Sequence, residues 1–321
     1  MKRFLKSVAL KMLSARDERT LAALLRLSLG PRHLSLCLHR VATVRREQEL
    51  ISNLTMAPAE IDRLVEFLQE SARRADRWLT ICFDDGYRDA AEYILSRAPR
   101  FPQIDWIFFV CPEKLERRVG FRWDLVEVLR GEGATIDRED VIFSPVDIAT
   151  ENTRQDLRRV GADPRFALAD MELCRQIQRL PNGAVGNHTN VHHRAMALGL
   201  EECRSEFQRS TDDFRRLFGE PRHFAFPFGV PGVDFDHRHL AALRRIGDFH
   251  VWSTEPRPYD VAEREKGTAL PRFAIDGTLT WKETAAHIAL RSLRSRVWRR
   301  LQWHPKLPPS LPEPQIELPA S

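Results

Sequence analysis

The sequence predicts an α/β fold built as a parallel barrel. Short apolar runs rich in strand formers alternate with amphipathic helical stretches, and residues able to do chemistry recur just after those runs. A chain of 321 residues with 43% hydrophobic content can also bury one substantial core. Residues 35–38 read as a first short strand ending at His39. Pro58 opens a helix whose Ile61, Leu64, Val65 and Leu68 share a face, and it leads into an apolar run at 79–83. Further buried strands are expected at 104–110, at 184–186 and at 223–226, the last stopping at Pro227. A long amphipathic helix from Glu201 should turn Phe207, Phe214 and Leu217 inward and stop at Gly219. Residues 111–180 exceed what one crossover helix needs and read as a lid or substrate-wall insertion, in which Trp123 would either stack on a sugar ring or pack in the core.

Two segments about a hundred residues apart supply the chemistry. Asp84-Asp85-Gly86 follows the 79–83 run, so both carboxylates sit at a strand's C-terminal end, where Gly86 tolerates unusual backbone angles. Side chains alternate along extended chain, so the two carboxylates should point different ways, one to ligate and one to handle protons. His188 and His192 stand one helical turn apart and can share a metal if the segment coils. Two imidazoles and one carboxylate leave coordination positions open, as in a catalytic zinc-like centre whose water has a pKa near ~7. Taken singly, each segment is also an ordinary turn or a pair of surface histidines.

Composition narrows the classes. Five cysteines without regular spacing argue against a disulfide framework and against a Cys-based zinc site, with Cys37, Cys82 and Cys111 in apolar surroundings that suit packing. Of the formal +5, residues 1–16 carry +5 and residues 282–306 carry +6, so the remainder is at −6. That distribution argues against a nucleic-acid groove at the reaction centre. Met1, Leu5, Val8 and Met12 stand at helical spacing, and Lys6 and Lys11 interrupt what would otherwise be a signal-peptide core. Leu290, Leu293, Val297 and Leu301 form a similar stripe among arginines. Such basic amphipathic ends suit an anionic membrane surface, or else pack on the barrel with their charges solvated. No apolar run approaches the ~20 residues that cross a bilayer, so the expectation is a cytoplasmic protein, peripheral at most on the inner membrane surface. The division expected is a basic helical region at 1–32, a barrel at 33–280 bearing the 111–180 insertion, a basic helix at 281–304 and a Pro-rich tail at 305–321.

Cys82-Phe83-Asp84-Asp85-Gly86 and His188-Thr189-Asn190-Val191-His192 resemble the Thr-Phe-Asp-Asp-Gly and His-Ser/Thr-x-x-His motifs of the polysaccharide deacetylase family of metal-dependent carbohydrate esterases. Phe224-Ala225-Phe226-Pro227-Phe228-Gly229 is similar to that family's Phe-Ala-Tyr-Pro-Tyr-Gly, and Leu270-Pro271-Arg272 matches near the C-terminal end. Leu38-His39-Arg40-Val41 resembles an N-terminal Tyr-His-Arg-Val of one branch. The resemblance, over about residues 35–275, implies a distorted or incomplete (β/α) barrel of the deacetylase type. It implies Asp84 as general base and Asp85, His188 and His192 as ligands of one divalent metal, zinc first, with cobalt, nickel or manganese as alternatives. It also implies the backbone N–H of Phe228 as oxyanion donor and a substrate wall of Tyr87, Trp123 and Pro227.

Two departures stand out. Many relatives carry Arg in the proline motif to orient the base, and here Ala225 occupies that slot, so Asp84 must be oriented from elsewhere. A general-acid His in a C-terminal Leu-x-His is also missing, and His287 sits in a helical context that fits poorly. In the branch with the early motif, that histidine takes the acid's place, which makes His39 the candidate acid. The function implied is hydrolysis of an N-acetyl group on an N-acetylhexosamine glycan or its lipid-linked precursor, in cell-surface polysaccharide assembly. Alternatives are an amidohydrolase of small non-peptide C–N bonds, or a non-catalytic glycan or membrane-binding module.

Overall fold

A computed structural model describes residues 11–42, 52–72, 76, 78–131 and 151–300. Met1, Leu5 and Val8, part of the expected insertion (132–150), Leu301 and the Pro-rich tail lie outside the described residues. Seven strands form one parallel sheet: β1 (Leu34–Leu38), β4 (Leu79–Phe83), β5 (Ile104–Val110), β6 (Gly183–Asn187), β7 (His223–Ala225), β8 (His250–Trp252) and β9 (Phe273–Ala274). A two-stranded pair, β2 (Arg40–Val41) with β3 (Thr55–Met56), stands apart. The order β8-β7-β6-β5-β4-β1-β9 curls into an incomplete (β/α) barrel. Its two sides are joined by the segment after Gly267, where Leu270 bridges Trp252 and Phe273 pairs with Leu36, and by the bridge between His33 and Tyr259.

Alternation along each strand separates two interiors. Leu34, Leu36, Leu79, Ile81, Phe83, Trp106 and Phe108 face the helices and form the main apolar core. Cys82, Ile107, Phe109, Ala225, Trp252 and Leu270 line the inside of the barrel. Burial on both faces explains why β1, β4 and β5 read as continuous apolar runs. The Pro58–Ala72 helix buries Ile61, Leu64, Val65 and Leu68, as its periodicity predicts. The Leu200–Phe218 helix buries Phe207 and Phe214, leaves Leu217 half-buried, and is capped by Gly219 at φ 85°.

The C-terminal helix differs from the stripe expected of it. The Glu18–Leu29 and Trp281–Arg300 helices pack on each other and on the Pro58–Ala72 helix. The buried face of Trp281–Arg300 is Ala285, Ala286, Ile288, Ala289 and Ser292, whereas Leu290 and Leu293 are half-buried. Small side chains let the two helices approach closely, so packing selects that face over the larger leucines. All five cysteines are buried free thiols.

Candidate active site

Asp84 and Asp85 emerge at the C-terminal end of β4 beside the ends of β1 and β6. The ladder continues through Asp84, whose N–H donates to Leu38 O at 2.9 Å, and then breaks: Asp85 has φ 74° and Gly86 φ 83°. This break overturns strict alternation. A left-handed Asp85 brings its carboxylate back to the side Asp84 faces, and His188 Nε2 lies 3.9 Å from Asp84 Oδ2 and 3.6 Å from Asp85 Oδ1. Asp85 Oδ1 also lies 3.1 Å from His192 Nε2. Asp85, His188 and His192 each offer one ligand atom, all within 4.8 Å of one another.

The histidine segment does not coil into a helix. Thr189 (φ 63°) and His192 (φ 58°) are both left-handed, and the turn is held by the His192 N–H donating to Thr189 Oγ1 at 3.1 Å. Glu206, a buried side chain of the Leu200–Phe218 helix, accepts from the N–H groups of Asn190 (2.7 Å) and Val191 (3.1 Å). His188 Nδ1 is 2.8 Å from Ala225 O, which fixes Nδ1 as the donor and leaves the Nε2 lone pair for the carboxylate side. His192 is fixed by packing, edge-on to Trp123 (5.0 Å), Phe228 (5.3 Å) and Phe121 (5.5 Å). Of the five described non-glycine residues with positive φ, four are Asp85, Thr189, His192 and Phe228. Such conformations persist only where the surroundings over-determine them, and here they converge on one point.

Asp84 is held differently. Arg272, fully buried, makes a two-pronged ion pair with it, Nη1 to Oδ1 at 2.7 Å and Nη2 to Oδ2 at 2.9 Å. Cys37 Sγ donates to Oδ2 at 3.3 Å. Burial works against the charge, yet Arg272 outweighs it and keeps Asp84 below the usual carboxylate range. A carboxylate has about four acceptor sites, so these three donors leave one. Arg272 is the orienting cation that Ala225 cannot supply. It reaches Asp84 from the segment that closes the barrel, and its guanidinium lies over Phe109 at 5.2 Å while Nε donates to Ser253 O. Sequence reasoning quoted Arg272 as part of a motif and gave it no role; the signal was a lone cation in an apolar stretch, together with an aspartate lacking its usual partner.

His39 follows β1 as Asp84 follows β4, and the register pairs Leu38 with Phe83. The pairing makes His39 and Asp84 neighbours: Cys37, His39 and Asp84 offer ligand-type atoms within 4.8 Å of one another. The His39 Nδ1 is buried without a hydrogen-bond partner among the described residues. His287 stays on its outer helix, accepting from Arg291 Nε at 3.3 Å.

Trp123, partly exposed, stacks on Phe121 at 4.5 Å beside His192. Its Nε1–H donates to Tyr87 Oη at 2.8 Å, and the Tyr87 hydroxyl donates to Asp124 at 2.9 Å. Tyr87 itself is 1% exposed, so it backs Trp123 and offers no face to a substrate, which corrects its expected place in the wall. Burial pushes the Asp124 carboxyl up to about 8. Pro227 is buried, and its carbonyl closes a three-residue turn by accepting from Gly229 N–H at 2.7 Å around Phe228 (φ 61°). The Phe228 carbonyl accepts from Thr254 Oγ1 at 2.7 Å.

The donor set fits a divalent cation. Apart from the two imidazoles, buried Asp85 Oδ1 has no partner among the described residues, an expensive state for a carboxylate oxygen unless a cation satisfies it. Two neutral-competent imidazole nitrogens face the same point, and the mixture of nitrogen and oxygen donors suits zinc and its neighbours.

The molecule is thus an incomplete parallel barrel with a carboxylate pair and two histidines gathered at its strand ends. The sequence profile of the polysaccharide deacetylase family matches residues 71–247, and the chain belongs to that family. Among solved structures it is similar to a polysaccharide deacetylase from Bacillus cereus, with a TM-score of 0.52 and 13% identity over 80% of this chain and 69% of that one. It is also similar to the Streptococcus pyogenes deacetylase PplD in complex with acetate, with a TM-score of 0.53 and 12% identity over 78% of this chain and 96% of that one. At such identities the likeness is one of fold. A comparison with curated proteins found no match.

Proposed function

We propose that the protein is a metal-dependent deacetylase that removes the N-acetyl group from N-acetylhexosamine residues of a glycan or its lipid-linked precursor, in cell-surface polysaccharide assembly at the inner membrane surface. The observation that carries this reading is the contrast between two adjacent buried carboxylates. Asp84 is oriented by Arg272 with one acceptor site left, as a base must be, while Asp85 Oδ1 faces two imidazoles and has no other partner among the described residues, as a ligand must.

Asp85, His188 and His192 would hold the ion. When bound, a divalent ion supplies Lewis acidity, lowering the pKa of a water toward ~7 and polarising the acetyl carbonyl. Asp84 takes the proton of the attacking water through its remaining acceptor site, and Arg272 holds the carboxylate in place as it does so. The Phe228 N–H donates to the acetyl carbonyl oxygen as negative charge develops there. His39, beside Asp84, returns a proton to the departing amine, and the free amine and acetate leave. Trp123 offers a flat apolar face to the sugar ring next to His192.

Purified protein supplied with zinc or cobalt should release acetate from N-acetylglucosamine oligomers. Asp84→Asn should abolish that release while leaving metal uptake intact. Absence of acetate from every N-acetylhexosamine substrate, under conditions where another family member is active, would refute the reading.

A further inference from the structure

Beside this site the molecule carries an apolar rim. In a chain that is 30% charged, Val230-Pro231-Gly232-Val233 forms an exposed tip with no polar side chain, Val230 at 41% and Val233 at 57% exposure. Met196 (42%) and Ala197 are also exposed, on the adjoining loop, whose Met196 N–H donates to Asp234 O at 2.9 Å. The tip is firmly built. Buried Asp234 accepts from Val230 N–H at 2.8 Å and pairs with Arg194 at 3.2 Å, Gly232 N–H donates to Phe235 O at 2.8 Å, and Phe235 stacks on Phe226 beneath at 4.1 Å.

The rim is continuous with the reaction centre. Phe228 packs on His192 at 5.3 Å, Arg194 lies over Phe228 at 4.7 Å, and Arg194 pairs with the Asp234 that holds the tip. A rigid aliphatic tip exposed to water costs solvation free energy that a hydrocarbon partner would recover. Its extent, a few residues, falls well short of the roughly 20–30 residues a side of a stable protein interface. Val230, Pro231, Gly232 and Val233 carry no charged group that would bind a polar glycan.

We propose that this rim inserts shallowly into the acyl layer of a lipid surface, so that the site works on glycans still anchored to lipid. The proposal rests on the deacetylase reading for its substrate but not for its membrane contact. Insertion places the candidate metal site against the headgroup region, where the first sugars of a lipid-anchored glycan lie. Soluble oligomers reach the same site without the rim.

The test is flotation of the full chain with phosphatidylcholine vesicles, with and without phosphatidylglycerol, in about 0.5 M salt to screen the basic ends. Wild type should float with both kinds of vesicle. Val230→Asp with Val233→Asp should lower the partition coefficient about a hundredfold, while acetate release from soluble N-acetylglucosamine oligomers stays unchanged. Val233→Trp should raise partitioning, which keeps the test informative if the double variant fails to fold. The proposal is overturned if wild type stays with the aqueous phase, if it floats only with anionic vesicles in a salt-sensitive way, or if neither variant alters flotation. Self-association of wild type that the double variant abolishes would also overturn it, assigning the rim to a second copy of the chain. Acetate release without flotation would leave the deacetylase reading standing alone, and flotation without acetate release the membrane contact alone.

Discussion

Asp84 and Asp85 are neighbours in sequence and almost equally buried, at 3% and 2% exposure, yet their surroundings are opposite. Around Asp84 the protein supplies a guanidinium and a thiol, and the carboxylate is a finished structural unit. Around Asp85 it supplies two imidazoles and, among the described residues, no other partner for Oδ1. Burying a charge is tolerable only with compensation, so the first pocket is complete within the chain and the second calls for a cation. The difference follows from backbone conformation. Asp84 continues the strand and meets what crosses the barrel, whereas left-handed Asp85 turns toward the loop after β6.

The harshest way to break this comparison is Arg272→Ala. It strands a buried aspartate charge, and the expected loss is about 3–5 kcal/mol of unfolding free energy, measured by urea denaturation. Adding Asp84→Asn should recover part of that loss, because the neutral amide no longer needs the guanidinium. No recovery would mean that Arg272 acts mainly by filling space against Phe109.

Glu206→Ala attacks the other pocket from behind. It frees the N–H groups of Asn190 and Val191, should cost about 2 kcal/mol of stability, and should weaken zinc binding roughly 10- to 100-fold as the histidine turn relaxes. Isothermal titration checks the affinity. Unchanged affinity would show that the turn holds its shape without the carboxylate.

Acid should separate the two pockets further. Burial opposes a charge on His188, but Asp84 and Asp85 favour it and prevail, so its pKa in the metal-free protein lies above 6.5. The protonated ring's contribution to stability is therefore full below pH 6.5 and is lost as pH rises through the raised value. Metal needs the neutral ring, so zinc affinity should climb with pH across that window, approaching about tenfold per unit. A flat profile between about pH 6 and pH 8 would remove His188 from the ligand set.

The mildest perturbation is Tyr87→Phe, which takes the acceptor from Trp123 Nε1 and leaves the pockets alone. We expect KM for N-acetylglucosamine oligomers to rise about fivefold, ~1 kcal/mol, with kcat nearly unchanged. A fall in kcat alone would place Trp123 in the chemistry and not in binding.

Much of this was readable in the sequence where local pattern suffices. β1, β4 and β5 read as apolar runs because both faces are buried, and Asp85, His188 and His192 stand in motifs whose residue types already suggest a group able to hold a metal. What local pattern cannot convey is partnership across the chain. Arg272 meets Asp84 from 188 residues away, on the two-residue strand β9 side of the barrel, and the lone cation in its apolar stretch does not by itself say which carboxylate it meets. Alternation failed at Asp85 because it presumes extended backbone, and a positive φ reverses it. The family resemblance placed Tyr87 in the substrate wall, whereas its ring is buried and its hydroxyl is taken up by Trp123 and Asp124. Leu290 and Leu293 read as the apolar stripe of a basic amphipathic helix, yet the neighbouring helix selects the alanine face.

Zinc titration of metal-stripped wild type, Asp84→Asn and Asp85→Asn is the most direct measurement, since asparagine keeps the shape of both carboxylates and tolerates the left-handed backbone at position 85. Wild type and Asp84→Asn should each bind one ion with affinities within a few fold, and Asp85→Asn should lose at least about a hundredfold. Loss of binding on altering Asp84 with retention on altering Asp85, or no uptake by wild type, would contradict the division of labour between the two carboxylates.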